Sequence, residues 1–304
     1  MPAVQIVTYA AVLIGLAAII VKIFRYATAP EHMRWELYPV PHEKGRADYG
    51  GSYLEELDWW NKPRHTDMFR EMREMSAEIF LLKGVYHHNR RVWFSSLPFH
   101  SGLYLAIGWL VLLLAGALLN AFGIGVGPEA GIIGRIVHYL TIPVGYAAFI
   151  LSGIGALGLF IWRLTDADQR SFNAPAEYVN LLLFVTLAAV VLVNHLGSDI
   201  AFVGLRAYTG SLITFTGATG LSGLMMIEIL LVSLMLMYIP LSRMSHFVAK
   251  YFLYHSVRWN DQSNERGSKL EKRIIELLNK KMGWSASHIQ TGASWAEVVK
   301  EPKK

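Results

Sequence analysis

A chain of 304 residues that is 53% hydrophobic and only 17% charged does not have the composition of a soluble domain. Its formal net charge of +5 is modest, and nothing in it marks a nucleic-acid partner. The chain has no cysteine, which excludes a thioether-linked c-type haem and a cysteine-ligated iron–sulfur cluster; any metal must rest on His, Met or carboxylate.

The apolar residues fall into five blocks: Val4 to Phe24, Leu97 to Phe122, Ile136 to Trp162, Tyr178 to Asn194 with its flanks, and Leu221 to Phe247. Crossing a hydrocarbon core of about 30 Å takes about 20 helical residues. The expected fold is an all-α integral membrane protein with five transmembrane helices. Around the first block, Lys22 and Arg25 follow the apolar run and no Lys or Arg precedes it. That charge order is the reverse of a signal peptide, so a retained helix is expected. In the third block Gly145, Gly153, Gly155 and Gly158 predict close approach of a neighbouring helix.

Lys and Arg set the expected orientation. The stretch from Arg25 to Arg91 is dense in both, as is the chain beyond Arg243. The loop from Gly123 to Arg135 has only Arg135, and Gly197 to Gly220 has only Arg206. The positive-inside rule then places the N-terminus outside and the C-terminus in the cytosol. Four segments follow: residues 1–26, the first transmembrane helix; 27–96, a cytosolic aromatic and basic loop domain; 97–252, a four-helix transmembrane domain; and 253–304, a cytosolic tail. The location implied is the inner (cytoplasmic) membrane, multi-pass.

The long loop mixes turn formers (Pro39, Pro41, Gly45, Gly50, Gly51) with Trp35, Tyr38, Tyr49, Trp59 and Trp60. Interfacial anchoring and docking of a soluble subunit both account for these aromatics. From Thr66 to Tyr86, Met68, Phe69, Met72, Met75, Ile79 and Leu82 have helical spacing, and the tail opens with a helix over Lys269 to Met282. No internal repeat supports an inverted-repeat transporter.

Among the eleven histidines, His32, His42, His65 and His288 lie in polar sequence and read as solvated side chains; His87, His88 and His255 read as interfacial. His100 and His246 differ, because each stands at the cytosolic margin of an apolar block. Ionisable groups there are costly and are functional candidates. Two neutral imidazoles on separate helices at one depth can ligate a b-type haem axially. Arg243 is a candidate partner for a haem propionate, and Pro240 predicts a kink beside it. His138 and His195 form a second pair near the outer ends of the third and fourth helices, where helix-end anchoring is the competing reading. Glu228 lies within the fifth block; with Asp199 and Arg206 it is a candidate for a quinone or proton site.

Phe99-His100-Ser101-Gly102, with Ile239-Pro240-Leu241-Ser242-Arg243-Met244-Ser245-His246, resembles the gamma (cytochrome b) subunit of respiratory nitrate reductases over roughly Ser95 to Tyr251. The first loop, with the segment from Arg34 to Glu43 and Tyr49-Gly50-Gly51-Ser52-Tyr53, is not part of that pattern. It is similar to gamma-like subunits found beside heterodisulfide-reductase-like iron–sulfur proteins in the membrane redox complexes of sulfate reducers. The resemblance implies an inner haem on His100 and His246. It implies outer-haem ligands at positions held here by Leu110 and Glu228, neither a histidine, so the usual outer haem is not expected. His138 and His195 are the candidate replacements.

The resemblance implies an electron-transfer subunit with one or two b haems and menaquinone as a further candidate ligand. Its partners would be a cytosolic heterodisulfide-reductase-like iron–sulfur protein and an extracytoplasmic multihaem cytochrome c or the quinone pool. A haem-free membrane anchor for a soluble redox enzyme is the alternative from another class.

Overall fold

The computed structural model describes residues 2–29, 41, 43–46, 48, 52–63, 65–255 and 265–300. His32, His42, Arg34 and most of the first-loop segments that carry the second resemblance lie outside these residues. The described residues are helical, with only isolated bridges such as Glu43 to Thr66. Five helices are long and apolar enough to cross a membrane, and the chain is a multi-pass membrane protein on that ground. They are α1 (Ala3–Ala27), α4 (Arg90–Ala121), α5 (Ile132–Thr165), α7 (Pro175–Gly197) and α9 (Gly223–Leu241). Between and after them come α2 (Met68–Phe80), α3 (Lys83–His88), α6 (Ala167–Phe172), α8 (Val203–Ile213), α10 (His246–Leu253), α11 (Lys269–Leu278) and α12 (Trp295–Lys300).

The chain divides into two compact units, Met1–Gly15 with Met75–Ile239 and Leu16–Glu74 with Pro240–Lys304. In the first, α4 packs along α5 and α5 along α7. The α4–α5 contact is made by backbone. A Cβ on Gly102 would lie 2.3 Å from the Ser152 nitrogen, and one on Gly155 2.3 Å from the Phe99 nitrogen. Only glycine permits this approach, as the glycine spacing of the third block predicts. Phe99 then meets Phe184 of α7 edge to face, with ring centroids 5.0 Å apart.

Helix ends follow local chemistry. Asn89 accepts from the Val92 N–H to open α4, and Asp166 accepts from the Gln169 N–H to open α6. Pro175 stands in the first turn of α7, where its missing N–H costs nothing. Within the same unit the N-terminal part of α1 joins the bundle through polar contacts. Gln5 donates to Ser211 Oγ and the Thr216 carbonyl, and Thr8 Oγ1 lies 2.7 Å from Tyr208 Oη and 3.0 Å from Ser233 Oγ.

Three elements differ from the sequence expectation. The helix over Thr66 to Tyr86 is two helices, because Leu82 takes a left-handed conformation (φ 50°) between α2 and α3. Residues 197–220, read as a loop, contain α8. The fifth block does not run as one helix to His246. Pro240 lacks the N–H that would continue the ladder, and α9 ends at Leu241. Ser242 is extended, its Oγ accepting from the Met244 N–H, and after one 3-10 turn His246 opens α10.

In the second unit, Lys22 donates to the Ser242 carbonyl and to Ser245 Oγ, and Tyr26 stacks on Phe252 at 5.8 Å. Arg273 of α11 donates to the Ala29 carbonyl. At the start of α11, Ser268 Oγ accepts from the Glu271 N–H and the Glu271 carboxylate accepts from the Gly267 N–H.

Candidate functional site

In the first unit, α4 and α7 finish at the end where α5 and α9 begin, with α8 between them. His195, Asn194 and Glu228 meet there in full burial, 0%, 1% and 0% exposed. Glu228 Oε1 lies 3.0 Å from His195 Nε2, and Glu228 Oε2 accepts from Asn194 Nδ2 at 2.6 Å. His195 Nδ1 lies 2.8 Å from the Asp199 carbonyl. A carbonyl only accepts, so Nδ1 carries hydrogen. The remaining contact therefore holds one proton between Nε2 and Glu228, as carboxyl on imidazole or as imidazolium on carboxylate. Phe202 closes over the imidazole with ring centroids 4.2 Å apart, and Trp109 stands edge-on to Phe202 and Phe149. This arrangement can hold and exchange a proton away from water.

The remaining candidates lie around this network or apart from it. His138 of α5 is 6% exposed, and its Nδ1 has no hydrogen-bond partner among the described residues. Asp199 is spent on the start of α8, accepting from the Val203 and Gly204 N–H groups at 2.8 and 3.0 Å. Arg206 of α8 is 2% exposed, with its stem over Gly116. Leu110 lies on α4. Sequence reasoning placed Glu228 at this end of its helix but missed its pairing with His195, 33 residues away, and missed Asn194 altogether. The available signal was a carboxylate, an amide and an imidazole at matching depths on consecutive spans.

Toward the other end of α4, His100 Nδ1 lies 2.8 Å from the carbonyl of Ser96, one turn back, with Ser96 Oγ at 3.3 Å. The same logic puts hydrogen on Nδ1 and the lone pair on Nε2. An imidazole tied to a backbone carbonyl in this way has its tautomer and ring orientation fixed, as metal-ligating histidines do. His246 belongs to the other unit, exposed at the start of α10, and Arg243 is exposed in the preceding 3-10 turn. Elsewhere His87, His88 and His288 are exposed, and His255 bonds Glu71 Oε1 and the Tyr251 carbonyl.

These observations test which residues suit a haem. An axial ligand needs a nitrogen lone pair for iron. His100 has the right tautomer for that. His138 has an unpartnered ring nitrogen. Both nitrogens of His195 are engaged, and Nε2 would meet iron only by leaving Glu228 Oε1, with Asn194 as the carboxylate's remaining partner. Compared with known protein families and with curated proteins, the chain matches none of either.

Proposed function

We propose that this chain is a membrane cytochrome b subunit with a single b haem, exchanging electrons between the two sides of the inner membrane. The observation that carries the reading is His100, held by the Ser96 carbonyl in the tautomer a haem ligand requires. The motifs around His100 and His246, and the shared cytosolic margin that the charge distribution predicts, support these two as axial ligands, with Arg243 as propionate partner. Haem, when bound, would supply one-electron chemistry; the protein would set its potential through ligands, hydrogen bonds and burial.

The chain's own residues divide the remaining work. Ser96 orients His100, and the Gly102 and Gly155 contact fixes the helix that presents it. His195, Asn194 and Glu228 hold a proton at the opposite end, the side predicted to face outward. There a quinol or an extracytoplasmic multihaem cytochrome c would exchange electrons. The loop and tail predicted as cytosolic would meet a heterodisulfide-reductase-like iron–sulfur protein.

A pyridine haemochrome assay on the purified chain tests the reading. One b haem per polypeptide is expected, lost in His100→Ala and retained in His195→Ala. A folded, colourless chain would overturn it in favour of the haem-free anchor. Two haems, one of them lost in His195→Ala, would restore the outer pair.

A further inference from the structure

Beside the buried network, the first unit contains a cavity of about 470 Å³ walled by the end of α4 (Ala117, Asn120, Ala121), by α8, by the loop from Thr214 to Leu221 and by Met225 of α9. Arg206 lines it. The guanidinium is almost fully buried, yet its one hydrogen bond among the described residues is from Nη2 to the Ala201 carbonyl at 3.3 Å, and Nε has none. No carboxylate bridges to it. Asp199 caps α8, and both oxygens of Glu228 are occupied by Asn194 and His195. A buried cation in this state is costly unless an anion shares the site.

The rest of the wall is rich in donors. The loop Thr216-Gly217-Ala218-Thr219-Gly220 is held from behind by Gln5, which donates to the Thr216 carbonyl and accepts from the Ala218 N–H. The N–H groups of Gly217, Thr219 and Gly220 have no acceptor among the described residues. No acidic residue lines the cavity. A guanidinium and several backbone N–H groups around one space, with no carboxylate among them, are suited to an oxyanion. Arginine binds phosphate in a bidentate fork, and small-residue loops with free N–H groups form anion-binding concavities. The volume exceeds what one inorganic ion fills and accommodates a headgroup.

We propose that Arg206 and the Thr216–Gly220 loop form a binding site for a phosphate group, supplied by an anionic phospholipid headgroup or by free phosphate. The site is independent of haem. It would also give Arg206 a directly hydrogen-bonded anion, beside the more distant carboxylate of Asp199.

The test uses the full chain, purified and delipidated in detergent, with native mass spectrometry and thermal melts. The probes are phosphatidylglycerol in mixed micelles and inorganic phosphate. Wild type is expected to gain a bound adduct and a melting temperature several degrees higher with at least one probe. Arg206→Met should lose both effects, and Arg206→Lys should retain a reduced one. A response to phosphatidylglycerol alone identifies the headgroup; a response to both probes identifies a site open to free phosphate. Ala207→Phe, which places a bulky ring at the cavity wall and keeps the charge, should weaken the response as well and serves if Arg206→Met does not fold. Equal responses in wild type and in Ala207→Phe or Arg206→Met, or no response in wild type to either probe, would overturn the proposal.

Discussion

The two ends of the α4–α5–α7 bundle each carry a histidine, His100 half-buried at one and His195 fully buried at the other. His100 gives Nδ1 to a backbone carbonyl one turn away, which fixes its tautomer and ring orientation. His195 makes the same kind of bond, Nδ1 to the Asp199 carbonyl, but its Nε2 meets Glu228. At His195 the second nitrogen faces a buried carboxylate, itself held by Asn194. A histidine in a membrane helix is therefore not a ligand by position alone. A carboxylate opposite it, as at His195, suits the pair to holding a proton.

The largest effect expected from breaking this contrast is at His100. Replacing it with alanine should abolish b-type absorbance while leaving the chain folded by circular dichroism; retention of the full spectrum would remove His100 from the site. Next comes Glu228→Ala, which leaves His195 Nε2 and Asn194 Nδ2 without their partner in full burial. A loss of about 3 kcal/mol is expected, read as a lower melting temperature in detergent at unchanged haem content. Glu228→Gln, which keeps an acceptor oxygen, should lose clearly less. If Glu228→Ala instead stripped the haem, the two ends would not be separate in function.

Gly155→Val sharpens the comparison from the His100 side. Its side chain would collide with the backbone of Phe99, adjacent to His100, at a cost of roughly 1–3 kcal/mol. Haem occupancy should fall in this variant and stay at wild-type level in Glu228→Gln. The smallest effect is expected from Asp199→Ala, which removes the cap of α8 but keeps the carbonyl that His195 uses. A cost of about 1 kcal/mol should register in the melt. A much larger loss would mean that the carboxylate supports His195 as well as α8.

The five spans were legible because their apolar runs exceed what any soluble helix of this composition needs, and the glycine spacing of α5 announced its contact with α4. The limits of legibility also have physical causes. α8 was hidden because it is short and partly polar, although Asp199 four residues before Val203 and the spacing of Leu205, Tyr208 and Leu212 are its traces. Pro240 was legible as a disturbance, but a proline near a helix end can bend or stop it, and the Ser242 hydroxyl bonding the Met244 N–H accompanies the stop. The pairing of His195 with Glu228 is a tertiary contact between helices, and no local pattern encodes it. What the sequence did carry was the oddity of a carboxylate at that depth.

The backbone contact between α4 and α5 also bears on how the protein is made. Only ten residues, 122–131, join these helices, and Gly102 and Gly155 interlock them with no side chain between. Two helices that close, leaving the translocation machinery one after the other, form a hairpin whose interface needs no later partner. The pair that carries His100 thus brings its own packing surface, joined by backbone contact rather than by side chains.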